Sequence, residues 1–178
     1  MKLKTLAAAF AAALLIGGAA NAQSANSGTK PNDAQIAHIA YTAGLADIAN
    51  AEQAMKKSKN KEVRAFAQNM LTDHKAVNDK ALALVKKLKV TPQDNDTSKA
   101  IAKGQADERA KLAKLSGKAF DKAYVDNEVA YHKTVNGALE TALIPSASNA
   151  ELKSLLETGL KIFQGHQQHA EHVASELK

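Results

Sequence analysis

The sequence predicts an all-α protein: an antiparallel four-helix bundle with an extra short helix in the connection between its second and third long helices. Three observations predict it. Apolar residues recur at helical spacing from residue 32 to residue 178, and no strand-like alternation interrupts them. Three prolines occur, Pro31, Pro92 and Pro145, and each falls at a boundary of that pattern. The four long segments so marked are roughly 25 residues each, ~37 Å at 1.5 Å per residue, and short turns join the first pair and the last pair.

The chain opens with an export signal. Lys2 and Lys4 precede an uncharged run from Leu6 to Ile16, and Ala20-Asn21-Ala22 carries the small-x-small pattern that signal peptidase reads. Residues 1–22 are therefore expected to be a cleaved signal peptide, which places the protein in the periplasm or outside the cell. The run is too short for a membrane span of ~20 residues, and the mature chain is expected to have no transmembrane segment. Residues 23–31 are small and polar for most of their length and read as a flexible leader, and the bundle domain occupies 32–178.

The first long helix begins at Asn32 or Asp33, where Gln35 completes a capping box, and runs to about Lys57. The second follows Asn60, an N-cap residue, and stops near Lys89 ahead of Thr91-Pro92. Gln93 to Thr97 reads as a loop, Lys99 to Leu115 as the short extra helix weakened at Gly104, and Ser116-Gly117 as a break. The third long helix runs from about Lys118 to Ala142, and Ile144-Pro145-Ser146 turns the chain. Ser148 and Glu151 form a capping box that opens the fourth, which reaches nearly to the C-terminus.

Composition narrows the chemistry. The 24 Lys+Arg against 18 Asp+Glu make a net charge of +6, which falls by two, to +4, when Lys2 and Lys4 leave with the signal. Lys56, Lys57, Lys59 and Lys61 cluster at one helix junction and Lys86, Lys87 and Lys89 at a helix end, where cations meet the carbonyl end of the dipole. No aromatic residue is interleaved with them, so no nucleic-acid partner is expected, while an envelope surface or a protein partner stays open. The absence of Cys excludes disulfides, thiolate metal sites and a lipid anchor, so any site is built from His, carboxylates and hydroxyls. No G-x-S-x-G elbow, phosphate loop or H-E-x-x-H sequence occurs, and no Glu has a His three residues later, as the usual di-iron pattern requires.

At about 100° per residue, several polar side chains fall on inward faces. His74 shares a stripe of the second helix with Val63, Phe66, Met70 and Val77. Glu128 and His132 lie one turn apart on the inner face of the third helix, beside Tyr124 and Tyr131. In the fourth, His166 lies among Leu156, Phe163 and Val173, with His169 at the edge and His172 pointing away. Asp47 belongs to the row Ile36, Ala40, Ala43 and Ala51 of the first helix, where a carboxylate calls for a partner.

If the two short junctions lie at one end of the bundle, heights can be compared. Asp47 is 12 residues before Lys59 and His74 is 15 after it; Glu128 and His132 are 18 and 14 before Ser146, and His166 is 20 after it. The spread is 8 residues, or ~12 Å. One reading is an interior metal site of His74, His132 and His166 with Asp47 or Glu128, and with His169 as a chelating neighbour of His166, suited to Zn, Cu, Ni or Fe. The other is a polar core satisfied by hydrogen bonds. Asp73 points away from His74 and reads as a supporting or surface group, and Tyr124 and Tyr131 as core aromatics whose hydroxyls need partners.

The stretch from Val63 to His74 (VRAFAQNMLTDH), then Leu115 to Tyr124 (LSGKAFDKAY), His132 and His166, resembles the bacterial domain-of-unknown-function 4142 family over roughly Asp33 to Leu177. The resemblance implies a ferritin-like bundle in an exported protein, of a kind often labelled a predicted outer-membrane protein, although neither a barrel pattern nor a lipidation cysteine occurs here. Its pattern carries onto Asp73, His74, Asp121, Tyr124, His132 and His166, with Asp121 and Tyr124 as supporting groups. A family Glu in the first helix is Asp47, shorter by one methylene, and a family proline before the last His is Lys161. The architecture transfers with the fold, while catalysis does not.

The expected function is binding of a transition metal or small ligand in an exported bundle, in a stress-related or binding protein rather than a turnover enzyme. The alternatives are a structural interaction module of the cell envelope, and an atypical di-iron oxidase that would need at least four clustered carboxylates.

Overall fold

The structure, a computed structural model, describes residues 30–177. The expected signal peptide and residues 23–29 of the leader lie outside the described residues; Lys30 and Pro31 carry no regular structure. The helices are α1 (Asp33–Lys57), α2 (Lys61–Lys87), α3 (Asp96–Ala113), α4 (Gly117–Ala138) and α5 (Ala150–Glu176). α4 continues without a break through a π-helical turn, Leu139–Leu143, and a last α turn, Ile144–Ser146. No strand occurs among the described residues.

Side-chain caps set most boundaries. Asn32 and Gln35 exchange the two hydrogen bonds of a capping box, and Asn60 accepts from the N–H groups of Glu62 and Val63. α3 begins three residues ahead of the expected Lys99, because Asn95 accepts from the Ser98 N–H at 3.0 Å while the Ser98 hydroxyl accepts from the Asn95 N–H at 3.1 Å. It runs through Gly104 unbroken. Gly117, at a left-handed φ of 53° that favours glycine, starts α4.

Two boundaries differ from expectation near Pro145. The chain does not turn at Ile144-Pro145-Ser146: Pro145 has no N–H, and the helix absorbs it by widening, with the Ile144 N–H reaching back to the carbonyl of Leu139. The turn comes at Ala147, and Asn149 rather than Ser148 caps α5, accepting from the N–H groups of Glu151 and Leu152.

The Ser148 N–H is occupied elsewhere, and its partner settles the topology. Asp33, in the first turn of α1, accepts from the N–H groups of Ser148 and Asn149 at 2.8 and 2.9 Å. The α4–α5 junction therefore lies at the start of α1, at the opposite end from the α1–α2 junction. This corrects the expectation that both junctions share one end. α3 is the cause: its 18 residues span ~27 Å alongside α1 and parallel to it. Asn95 bonds the Gln35 carbonyl, Arg109 the Asn50 side chain, and Lys57 the Ala113 carbonyl, in that order along α1. The crossover carries the chain back over the full bundle, so α2 and α4 run one way and α1 and α5 the other, as in ferritin-like bundles with one long connection.

Two apolar cores fill the ends. Phe66, Met70, Phe120, Tyr124 and Val173 pack near the α1–α2 junction, and Ile36, Ile39, Leu139, Leu143, Leu152 and Leu156 near the α4–α5 junction. Between them lies a buried polar layer. Measured from the α4–α5 end, Asp47 is 14 residues after Asp33, His74 13 before Lys87, His132 14 and Glu128 18 before Ser146, and His166 16 after Ala150. That spread of five residues is ~7.5 Å, tighter than the shared-end assumption allowed. Among the described residues no helix is long and apolar enough to cross a membrane.

Candidate metal centre

Four helices each aim polar side chains into this layer: Asp47 from α1, His74 from α2, Glu128 and His132 from α4, and His166 from α5, all at 6% exposure or less. They form two groups. His74, His132 and His166 each offer a ligand atom within 4.8 Å of the other two, and Asp47, Glu128 and His132 do the same. His132 belongs to both, so the groups adjoin. The three imidazole centroids are 5.2 to 5.8 Å apart.

Hydrogen bonds decide which nitrogens carry lone pairs. The Nδ1 of His132 lies 3.0 Å from the Glu128 backbone carbonyl, which can only accept, so Nδ1 carries the proton and Nε2 is the lone-pair nitrogen. In His166, Nε2 donates to the Asp73 carboxylate at 2.9 Å, which leaves Nδ1 as the lone-pair nitrogen. Both lone-pair nitrogens are buried without a hydrogen-bond partner, as are both nitrogens of His74, Oδ1 of Asp47 and Oε2 of Glu128. The Nε2 of His74 approaches Oδ2 of Asp47 at 3.3 Å, but the alignment makes no hydrogen bond.

Burial sets the protonation states. Burial, then the neighbouring His132 and His166, holds His74 well below the ordinary histidine range. Burial, then His166, pulls His132 down to about 4, and burial lowers His166 against the opposing pull of Asp73. The carboxyls move the other way. Burial lifts Glu128 to about 7 against hydrogen bonds from Asp47, Asn50 and Asn127, and burial followed by the Glu128 charge raises Asp47 well above its usual range. At neutral pH the layer presents neutral imidazoles beside carboxyls that resist ionising.

Of the remaining residues singled out in the sequence, Asp73 reaches across to α5 and orients His166. His169 stands outside both groups, its ring centroid 5.2 Å from that of Phe66 with the planes near perpendicular. Asp121 is buried with Oδ1 unpartnered, and the buried Tyr124 packs between Phe66 and Phe120 with its hydroxyl unpartnered. Burial, then the Glu128 and Asp47 charges, raises the Tyr124 hydroxyl. Tyr131 donates to the Ala43 carbonyl.

Sequence reasoning missed Asn50, and placed Phe163 on the inward stripe of the fourth helix without its contact to His74. Asn50, fully buried, donates to Gln105 and Glu128 and accepts from Arg109, tying the carboxyl pair to the crossover helix. Its position three residues after Asp47 was the available signal, but the α3 partners lie 55 and 59 residues away. Phe163 stacks on His74 at 4.7 Å with planes 10° apart, and so walls the centre from the α4–α5 end.

The fold and family can now be compared with known proteins. A DUF305 fragment from Deinococcus radiodurans has a similar crystal structure, with a TM-score of 0.69 and 13% identity, covering 83% of this chain and 99% of the fragment. A likeness at that identity shows the fold alone. No curated protein is a detectable relative. The model of a domain of unknown function, DUF4142, matches residues 18–173, and the chain belongs to that family.

Proposed function

We propose that the protein is an exported metal-binding bundle whose centre takes a divalent transition-metal ion on His74, His132 and His166, with Asp47 and Glu128 as the adjoining carboxylates. One observation carries this reading. Each of three buried imidazoles offers a ring nitrogen within 4.8 Å of the other two, and the lone-pair nitrogens of His132 and His166 and both nitrogens of His74 have no hydrogen-bond partner, although a buried acceptor left unpaired costs about 1–3 kcal/mol. A cation satisfies all of them at once. Imidazole with carboxylate suits Zn, Cu, Ni or Fe better than Ca or Mg, and a divalent ion would displace the protons that burial keeps on Asp47 and Glu128, whose charges would then balance it. Such an ion would act as a Lewis acid or as bound cargo.

The protein's own groups do the positioning. The Glu128 carbonyl and the Asp73 carboxylate each hold one ring nitrogen of His132 and His166, fixing their tautomers and leaving the other nitrogen free to ligate. His169, Asp121 and Tyr124 support the layer from outside. The two carboxylates in these groups are fewer than the four an atypical di-iron oxidase would require, so the donor set favours binding over oxidation. Export rests on the signal pattern of residues 1–22. The alternative is an envelope interaction module in which the layer only fixes packing register.

Elemental analysis of protein from its native compartment, with titration of Zn, Cu, Ni and Fe, tests the reading. Stoichiometric metal in the wild type, lost in a folded His74→Ala/His166→Ala variant, is the expected result. A wild type that takes up none of the four overturns it. N-terminal sequencing of the same material is expected to begin at Gln23.

A further inference from the structure

Between the polar layer and the α4–α5 junction the bundle holds a partly open cavity of about 70 Å³. Ala40 and Ala43 on α1, Ala81 on α2, Ala138 on α4 and Gly159 on α5 leave the space that larger side chains would fill. The π-helical turn adds Leu139 and Leu143 to the wall, and π turns of this kind recur at functional sites.

The cavity offers water little. Its one amide side chain, Asn78, is turned away toward α1: the amide nitrogen donates to the Tyr41 carbonyl, and the amide oxygen lies where a Cβ on Gly44 would come within 2.3 Å. A buried water needs two to four polar partners, and the remaining lining is apolar. Apolar walls facing a void forfeit dispersion contacts, which a nonpolar guest restores.

Size and position specify the guest. At roughly 10–15 Å³ per water-sized body the cavity holds about five, half the ~150 Å³ of an apolar cavity that takes benzene or xenon in an unrelated protein. A second hollow of about 130 Å³ shares the wall residues Ala37, Val85 and Leu152 with it and reaches Asp33 and Asn149 at the bundle end. At the other end Phe163 both lines the cavity and stacks on His74.

We propose that this cavity binds a small uncharged nonpolar molecule, of the size class of a diatomic gas, one aromatic ring away from the metal centre. Binding of the guest does not depend on the metal, so this proposal and the metal reading fail separately; the guest's relevance to the metal rests on that reading.

Xenon is the probe, followed by xenon-129 resonance in solution and by crystals pressurised with the gas. One xenon site beside Phe163 is expected, in chelator-treated and metal-loaded protein alike. Ala81→Leu fills the space and is expected to weaken xenon binding at least tenfold; Ala40→Val is the second filling variant should the first fail to fold. No xenon in the wild-type cavity, ordered water filling it, or unchanged binding in a folded filling variant overturns the proposal.

Discussion

His166 on α5 and Asp73 on α2 meet across the bundle at 2.9 Å, Nε2 to Oδ2. Asp73 adjoins His74 in sequence yet points about 100° from it around the helix. α2 therefore supplies one inward imidazole and, from its outer edge, the carboxylate that orients another.

Removing that carboxylate frees the His166 ring to turn and to protonate on Nδ1. Asp73→Ala is expected to lower metal affinity about 10–100-fold while leaving the fold intact, as loss of an orienting partner does in other metal sites. Competition with a chromophoric chelator measures it, and equal affinity in the two proteins would show that packing alone sets the ring.

Protonation of the centre acts on stability in two opposed directions. His132, near 4 in the fold against about 6.5 unfolded, stays neutral while the unfolded chain takes up a proton, so its contribution is complete above pH about 6.5 and is lost toward pH about 4. The loss is on the order of 3 kcal/mol, and His132→Gln should remove that limb. Glu128, near 7 against 4.5, does the reverse: the fold keeps a proton that the unfolded chain releases, and stability falls as pH rises from about 4.5 through 7. In chelator, Glu128→Gln should gain stability relative to wild type between pH 5 and 8. Urea unfolding across pH tests both, and a constant difference in either comparison would contradict burial as the cause.

Gly44 allows α1 and α2 to approach, because the amide of Asn78 occupies the place of a Cβ. Gly44→Ala alone is expected to destabilise by about 1–2 kcal/mol through overpacking. In an Asn78→Ala background the same change should stabilise by about 0.5–1 kcal/mol, the helix preference of Ala over Gly. A double-mutant cycle by chemical denaturation reads the sign change, and no change of sign would place the cost elsewhere.

The contact that fixes the topology is also separable. Asp33→Ala strands the Ser148 and Asn149 N–H groups and is expected to cost about 1–2 kcal/mol. Asn149→Ala, which removes the α5 cap, is expected to cost about 0.5–2 kcal/mol. Ser148→Ala should change stability by only a few tenths, since its side chain caps nothing. A larger loss for Ser148→Ala than for Asn149→Ala would reverse the assignment of the cap.

Much of the fold was legible because its causes are local. Asn32 with Gln35 and Asn60 with the following N–H groups are contacts within one helical turn, and sequence spacing describes them fully. Errors arose where two residues competed for one role. Ser148 has cap chemistry as good as Asn149, but its N–H is drawn to Asp33, 115 residues away. Asn95 precedes Ser98 in a capping box that lacks the usual Glu or Gln, so sequence spacing alone places the helix start three residues late.

By itself the sequence determined the all-helical class, the long helices and the inward faces of His74, His132 and His166, since a 3.6-residue period decides which side chains share a face. Only the tertiary structure decided that these three meet. Their convergence depends on α3 carrying the chain back along α1, which places the α4–α5 junction beside Asp33 and brings four helices into register at one height. Helical periodicity encodes rotation about an axis, whereas relative height and direction are set by contacts between residues distant in the chain, such as Asp33 with Ser148 and Asp73 with His166.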